Sequence, residues 1–257
     1  MTPDRAAVEQ ALAAAGCITP RNEADALLHA AGDDAGALAS MLERRIEGEP
    51  LPWITGTIAF CGLKVRVTPG VYVPRWQTEP LARMAASLLS PDGVAVDLCT
   101  GAGAVAMVLA AAAPAARVVA TDTDPVAVAC ARSNGVDARV GRLDDPLPAS
   151  LEGTVDVLTA VPPYVPTDEL RFLPRDVQAH EPRAALDGGE DGTDVLAEIV
   201  RRSPRWLRPG GSVILELGGD QAFDLAPIAR AAGFGEPEVL RDAEQDPRGI
   251  VARLAEP

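Results

Sequence analysis

The sequence predicts an α/β protein, a parallel sheet covered by helices on both faces, preceded by a small helical segment. Three observations lead there. From Val94 onward, short β-branched runs alternate with alanine-rich helical runs. Glycine or proline marks most changes of rhythm, and the first fifty residues carry helical periodicity only. With 257 residues, 47% hydrophobic and 23% charged, the chain suffices for one large domain or a main domain with a small partner.

Asp4 to Ala15 is rich in alanine and poor in β-branched residues, which predicts a helix. Asn22 to Ala31 sets Ala24, Leu27, Leu28 and Ala31 on one face, and Ala37 to Glu47 repeats this with Leu38, Met41, Leu42 and Ile46. Three short helices bury too little to stand alone, so they are expected to pack against the downstream chain. Ile58 to Phe60 and Leu63 to Val67 flank Cys61-Gly62 as a β-hairpin, and Pro69-Gly70 turns the chain into Val71 to Arg75. A helix over Glu79 to Leu89 leads to a strand at Val94 to Leu98. Then come a helix from Ala104 to Ala113 stopped by Pro114, a strand over Arg117 to Thr121, and a helix from Pro125 to Asn134. Short strands come next at Ala138 to Val140 and Val155 to Ala160. A helix from Asp194 to Trp206 closes at Arg208-Pro209-Gly210-Gly211 before a strand at Ser212 to Leu217. A helix over Phe223 to Ala232 precedes two strands, Glu238 to Arg241 and Gly249 to Arg253, expected to pair as an antiparallel hairpin.

Composition narrows the function. No uncharged apolar run approaches the roughly 18 residues that span a bilayer. Met1 to Gln10 carries acidic residues and no signal pattern, so a cytoplasmic location without a membrane partner is expected. A net charge of −14 with no local basic patch argues against nucleic acid as a partner. Cys17, Cys61, Cys99 and Cys130 lack C-x-x-C spacing, and His29 and His180 lie far apart, so no metal site is expected.

Two motifs carry chemistry. In Asp97-Leu98-Cys99-Thr100-Gly101-Ala102-Gly103, at the first strand-to-helix turn, Gly101 and Gly103 let backbone approach a ligand closely. Asp122, about twenty residues on at the next strand's tip, can accept both hydroxyls of a ribose. Asp97 favours a cationic ligand over a pyrophosphate, so the pair fits S-adenosylmethionine better than NAD. At the end of the apolar strand, Val161-Pro162-Pro163-Tyr164 offers outward carbonyls and an aromatic ring as a floor for a planar nitrogen.

These segments resemble the protein-(glutamine-N5) methyltransferase (HemK/PrmC-like) family. The likeness runs through Thr68 to Glu79, Asp97 to Gly103, the Pro-Pro-Tyr floor, His180 to Gly192 and Leu207 to Gly211. It implies a class I Rossmann-like methyltransferase domain over residues 79–257, a β-hairpin linker over 53–78 and a helical N-terminal domain over 1–52. It also implies S-adenosylmethionine as cofactor and, as partner, a peptide chain release factor whose Gly-Gly-Gln loop carries the methylated amide. The cofactor-binding residues expected are Asp97, Thr100, Gly101, Gly103, Asp122, Thr123, Leu143 and Arg75; the catalytic ones are Val161, Pro162, Pro163 and Tyr164.

The chain departs from the family in three places. Val161 stands where the family carries an asparagine, whose oxygen and a proline carbonyl accept the amide hydrogens. Arg142 replaces an acidic adenine contact, leaving Asp144 or Asp145 as candidate substitutes, and the helical region is shorter. Valine offers no acceptor, so a small-molecule amide, guanidino or amino nitrogen is the alternative substrate. Glu216 is a candidate for the pocket wall, and Arg75 with Glu79 a candidate pair across the cleft. His180 is expected to be structural, and Trp53, Trp76 and Trp206 to pack.

Overall fold

The computed structural model describes residues 4–242 and 244–256. Helix α1 (Arg5–Ala14) starts under the Asp4 side chain, α2 (Pro20–Ala31) under a first-turn proline, and α3 (Ala35–Ile46) under Asp34. Their inner faces bury Val8, Leu12, Ala24, Leu27 and Leu38 together with Ile54 of α4 (Leu51–Thr55). Sequence periodicity does not reveal α4, which is only five residues long and carries Pro52. A proline in the first turn sacrifices no intrahelical hydrogen bond, so the helix forms. Trp53 of α4 is buried and donates its indole N–H to the Val71 carbonyl at 2.9 Å, fastening the helical region to the linker.

Strands β1 (Thr57–Phe60) and β2 (Leu63–Arg66) pair antiparallel across a turn in which Cys61 (φ +48°) and Gly62 (φ +79°) are both left-handed. Helix α5 (Glu79–Leu88) is next, then β3 (Val94–Leu98), α6 (Ala104–Ala112), β4 (Arg117–Asp122), α7 (Pro125–Ser133), β5 (Asp137–Val140) and β6 (Val155–Ala160). The chain continues through α8 (Arg175–His180), α9 (Asp194–Arg202), β7 (Leu207–Glu216), α10 (Gln221–Ala231), β8 (Glu238–Arg241) and β9 (Pro247–Arg253). The seven-stranded sheet has the order β5-β4-β3-β6-β7-β9-β8; β3 to β7 run parallel, and β9 enters antiparallel beside β7 and β8. Alternating residues serve its two faces. Val96, Leu158 and Val213 join Leu196, Val200 and Leu225, whereas Ala95, Val157 and Ile214 join Leu81, Ala85, Val105 and Leu109.

Besides α4, the structure departs from the expected elements in three larger respects. Strand β7 begins five residues early, at Leu207, because a register shift opposite Val155 and Val157 absorbs Pro209-Gly210-Gly211 within the ladder. A Cβ at Gly211 would lie 2.7 Å from the Val155 carbonyl oxygen, so only glycine fits there. Helix α9 ends at Arg202 because Pro204 supports only a following 3-10 turn. The stretch between β6 and α9, without predicted elements, is built of short helical turns each led by a proline: Pro166, Pro174 and Pro182. Among the described residues no helix is long and apolar enough to cross a membrane.

Strand order reverses between β3 and β6. Chains leaving their C-terminal tips turn opposite ways and open a crevice there, where ligands bind in open α/β sheets.

Candidate active site

That crevice is a cavity. Its walls come from Cys99 to Ala102 after β3, Asp122 to Asp124 after β4, Arg142 and Leu143 after β5, and Val161 and Pro163 after β6. Phe60, Tyr72 and Thr78 close one side from the hairpin and linker, and Pro182, Ala184 and Ala185 close another.

Asp122 sits at the tip of β4. Its two oxygens accept the Gly101 N–H at 2.8 Å and the Asp124 N–H at 3.0 Å, which fixes the carboxylate plane and leaves lone pairs for hydroxyl donors. Burial raises its pKa above the usual carboxylate value, opposed by those backbone donors. Gly101 has φ +55°, and a Cβ built there would meet nothing within 4 Å, so bare backbone faces open space. Asp97 is buried and accepts the Thr100 and Thr159 hydroxyls at 2.6 and 2.7 Å. Burial nevertheless raises it to about 6, with no cation among the causes of its shift. A positively charged ligand in the cavity would relieve that cost. Thr100 and Thr123 line the same wall. Gly103 does not: at φ +83° it packs α6 on α7, where a Cβ would approach Val136 to 3.0 Å and Ala131 to 3.1 Å.

Leu143, at φ +46°, lines the cavity, and its carbonyl accepts the Thr121 hydroxyl at 2.7 Å. Neither candidate acidic substitute faces the cavity. Asp144 is buried between the Trp206 indole N–H at 2.7 Å and Arg202 at 2.5 Å, and Asp145 also pairs with Arg202. Arg142 lines the wall while paired to Glu198. Helix α9 thus captures the charges of this segment.

Arg75 pairs with Glu181, not with Glu79, and lies 5.0 Å over the Tyr72 ring. Glu79 instead accepts the Cys61 N–H at 2.9 Å and pairs with Arg83. Arg75 is outside the cavity wall; through Glu181, which also accepts the Val73 N–H at 3.3 Å, it ties Pro182 to Ala185 to the linker. Trp53 and Trp206 are buried, as expected for packing residues, but Trp76 is 68% exposed.

Val161 and Pro163 line the cavity, whereas Pro162 is buried and Tyr164 turns away. The Tyr164 hydroxyl donates to Glu216 Oε1 at 3.0 Å, and its carbonyl accepts the Gln221 side-chain N–H at 2.8 Å. Burial pushes the phenol far up, so it stays protonated. The aromatic surfaces in the cavity are Phe60 and Tyr72 instead, the latter pushed up by burial to about 12. Neither is among the site residues expected from sequence, although Tyr72 lies within the signature around Pro74. Among the described residues, no turn, loop or side-chain hydrogen bond ends on the carbonyls of Val161 or Pro162. Of the two residues, Val161 lines the cavity, so its carbonyl is the one placed near a ligand.

Glycines hold this floor. A Cβ at Gly192 (φ +76°) would fall 2.1 Å from the Tyr164 carbonyl oxygen, and one at Gly188 2.8 Å from that of Pro163. Gly192→Ala is therefore expected to destabilise the protein by at least about 1–2 kcal/mol and to lower activity. A shift of the thermal midpoint, read alongside methyl transfer, checks this.

A sheet of this order, with a glycine turn after its first strand, a carboxylate at the tip of the second and a cavity at the switch point, defines a class I Rossmann-like methyltransferase. Residues 63–171 match the family model of the methyltransferase small domain. The structure shares its fold with the ribosomal protein L11 methylase of Lactobacillus delbrueckii subsp. bulgaricus, with a TM-score of 0.50 and 16% identity over 75% of this chain and 86% of that one. The release factor glutamine methyltransferase of Moorella thermoacetica is 39% identical over 90% of both chains. That of Mycolicibacterium smegmatis is 42% identical over 84% of this chain and 85% of its own. The chain belongs to the release factor glutamine methyltransferase family, and it is a methyltransferase.

Proposed function

We propose that this enzyme transfers a methyl group from S-adenosylmethionine to the side-chain amide of the glutamine in the Gly-Gly-Gln loop of a peptide chain release factor. The observation that carries the proposal is the single cavity that joins Asp122 and the bare Gly101 backbone to the Val161 and Pro163 wall. When bound, the cofactor supplies an electrophilic methyl on a sulfonium. Asp122 would hold the ribose hydroxyls, Thr123 and Leu143 would flank the adenosine, and Asp97 with Thr100 would face the cationic portion. Within this reading residues 79–257 carry the chemistry, 53–78 link, and 1–52 help to grip the protein substrate.

An amide nitrogen is a poor nucleophile because its lone pair is delocalised into the carbonyl. Orientation is therefore the main service the protein performs. The carbonyls of Val161 and Pro162 are rigid acceptors, held by two proline rings and by the clamps on Tyr164. Val161 itself contributes no polar atom, so Val161→Asn is expected to raise the rate on a release factor about 5- to 10-fold, the worth of one added hydrogen bond. An unchanged rate would show that the side chain at 161 does not face the acceptor. A small-molecule nitrogen as acceptor has Val161 and the shorter helical region in its favour.

The test uses labelled S-adenosylmethionine with full-length release factor and with a version whose Gly-Gly-Gln glutamine is alanine. Label is expected in the first only. Equal label in both would overturn the assigned acceptor.

A further inference from the structure

A second cavity, of about 350 Å³, lies against the first. The two share one wall, the segment from Glu181 to Leu186 with its short helical turn Arg183–Ala185. Pro182, Ala184 and Ala185 line the first cavity, while Glu181, Arg183 and Leu186 line the second. The other side of the second is the helical turn Thr167–Phe172 after the Pro-Pro-Tyr floor, which contributes Leu170 and Arg171 and leads into Leu173. Arg171, Gln178 and Arg183 are exposed, so this cavity is a groove open to solvent. The shared wall is pinned at both ends. Glu181 holds Arg75 and the Val73 N–H, and the Leu186 carbonyl accepts the Val165 N–H at 3.0 Å. The groove therefore keeps a fixed spacing from the Val161 and Pro163 wall. Leu170, Leu173 and Leu186 supply its apolar surface. Among the described residues Arg171 forms no ion pair; its guanidinium lies 4.8 Å over the Phe172 ring, itself 73% exposed. An unpaired cation and an exposed aromatic beside an apolar groove are the marks of a protein-binding surface.

We propose that this groove holds the stretch of the release factor next to its Gly-Gly-Gln loop, with an apolar side chain on Leu170, Leu173 and Leu186 and a carbonyl or carboxylate oxygen at Arg171; this rests on the amide-methylation reading. Continuity of the two cavities selects the occupant. A glutamine whose amide reaches Val161 and Pro163 can send its neighbours across the shared wall, and that wall is a single short turn. A helical turn with its side chains is about 10 Å thick, and an extended chain advances about 3.3–3.6 Å per residue. The residue seated in the groove therefore lies about three positions from the glutamine.

The test measures methyl transfer over a range of concentrations of full-length release factor. Leu170→Ser and Arg171→Glu are each expected to raise KM about 5- to 10-fold, with kcat within about twofold of the parent. Calorimetry is expected to return the parental cofactor affinity for both. Alanine is then placed, one position at a time, at the neighbours of the Gly-Gly-Gln glutamine in the release factor. An apolar position about three residues away is expected to raise KM with the parent enzyme and to add little with Leu170→Ser, because both changes remove the same contact. A KM unmoved by both enzyme variants overturns the proposal. So does a KM that rises while no position of the release factor couples to Leu170, since the variants then act only through the shared wall. If sedimentation shows a parent dimer that Leu170→Ser dissociates at unchanged KM, the groove binds a second copy of this chain and the proposal is equally overturned. Should a melting curve show Leu170→Ser unfolded, Arg171→Glu, at an exposed side chain, carries the KM test. A parent enzyme that labels no release factor would sink the amide reading itself, and this inference with it. A parent that labels it while the groove variants match its KM sinks the inference alone.

Discussion

Asp122→Ala weakens S-adenosylmethionine binding at least about a hundredfold, and calorimetry with the purified enzyme measures it. Two hydroxyl-to-carboxylate hydrogen bonds are lost, each worth about 1.5–3 kcal/mol when one partner is charged. Their sum of about 3–6 kcal/mol corresponds to roughly two to four decades in Kd. The substitution also strips the Gly101 and Asp124 N–H groups of their acceptor, so the glycine turn that faces the cavity loses its anchor. Asp122→Asn keeps one acceptor oxygen and is expected to retain measurable binding. Parental affinity in Asp122→Ala would mean that the cofactor does not lie across the tip of β4.

Asp97→Asn separates stability from function. In the folded protein burial raises the Asp97 carboxyl from 3.8 to about 6. A raised folded value means that the native state holds the proton more tightly than the unfolded chain. Stability is then greatest below about pH 4 and falls as pH rises through about 6, by about 3 kcal/mol in total. Removing the charge cancels that cost. Denaturant midpoints of Asp97→Asn should match the parent near pH 4 and exceed it at pH 8. Cofactor affinity moves the other way. A cationic ligand binds the ionised carboxylate, so the parent should bind about tenfold more tightly at pH 7 than at pH 5. Asp97→Asn should bind weakly at both. A mutant that is less stable than its parent at pH 8 would show that the hydroxyls of Thr100 and Thr159 outweigh the buried charge.

Much of this site can be read along the chain because strand tips are local. Asp97, Thr100, Gly101, Asp122 and Thr123 each lie at or just past the end of a run whose period marks a strand, and parallel strands bring their tips to one edge. The illegible part depends on partners distant in sequence. Tyr164 reads as a stacking floor until Glu216 and Gln221, from β7 and α10, are seen to turn its ring and carbonyl away from the cavity. Tyr72 and Phe60 take that place from the linker and hairpin, whose fold over the sheet no local pattern encodes. Asp144 and Asp145 look free in sequence to replace a lost acidic contact, but Arg202 on α9 consumes both. Arg75 meets Glu181 rather than Glu79 because the loop after α8 returns to the linker. The secondary structure shows the same division. Strands β3 and β6 match their predicted spans, whereas α4 and the early start of β7 depend on prolines tolerated in a first turn or a bulge.

The assignment as a release factor glutamine methyltransferase meets its most direct test in peptide mapping. Full-length release factor is incubated with this enzyme and S-adenosylmethionine, digested, and its Gly-Gly-Gln peptide sequenced by mass spectrometry. The expected product carries one methyl group on the glutamine side-chain nitrogen and none on neighbouring residues. An unmodified Gly-Gly-Gln peptide, obtained from an enzyme shown by calorimetry to bind the cofactor, would contradict it.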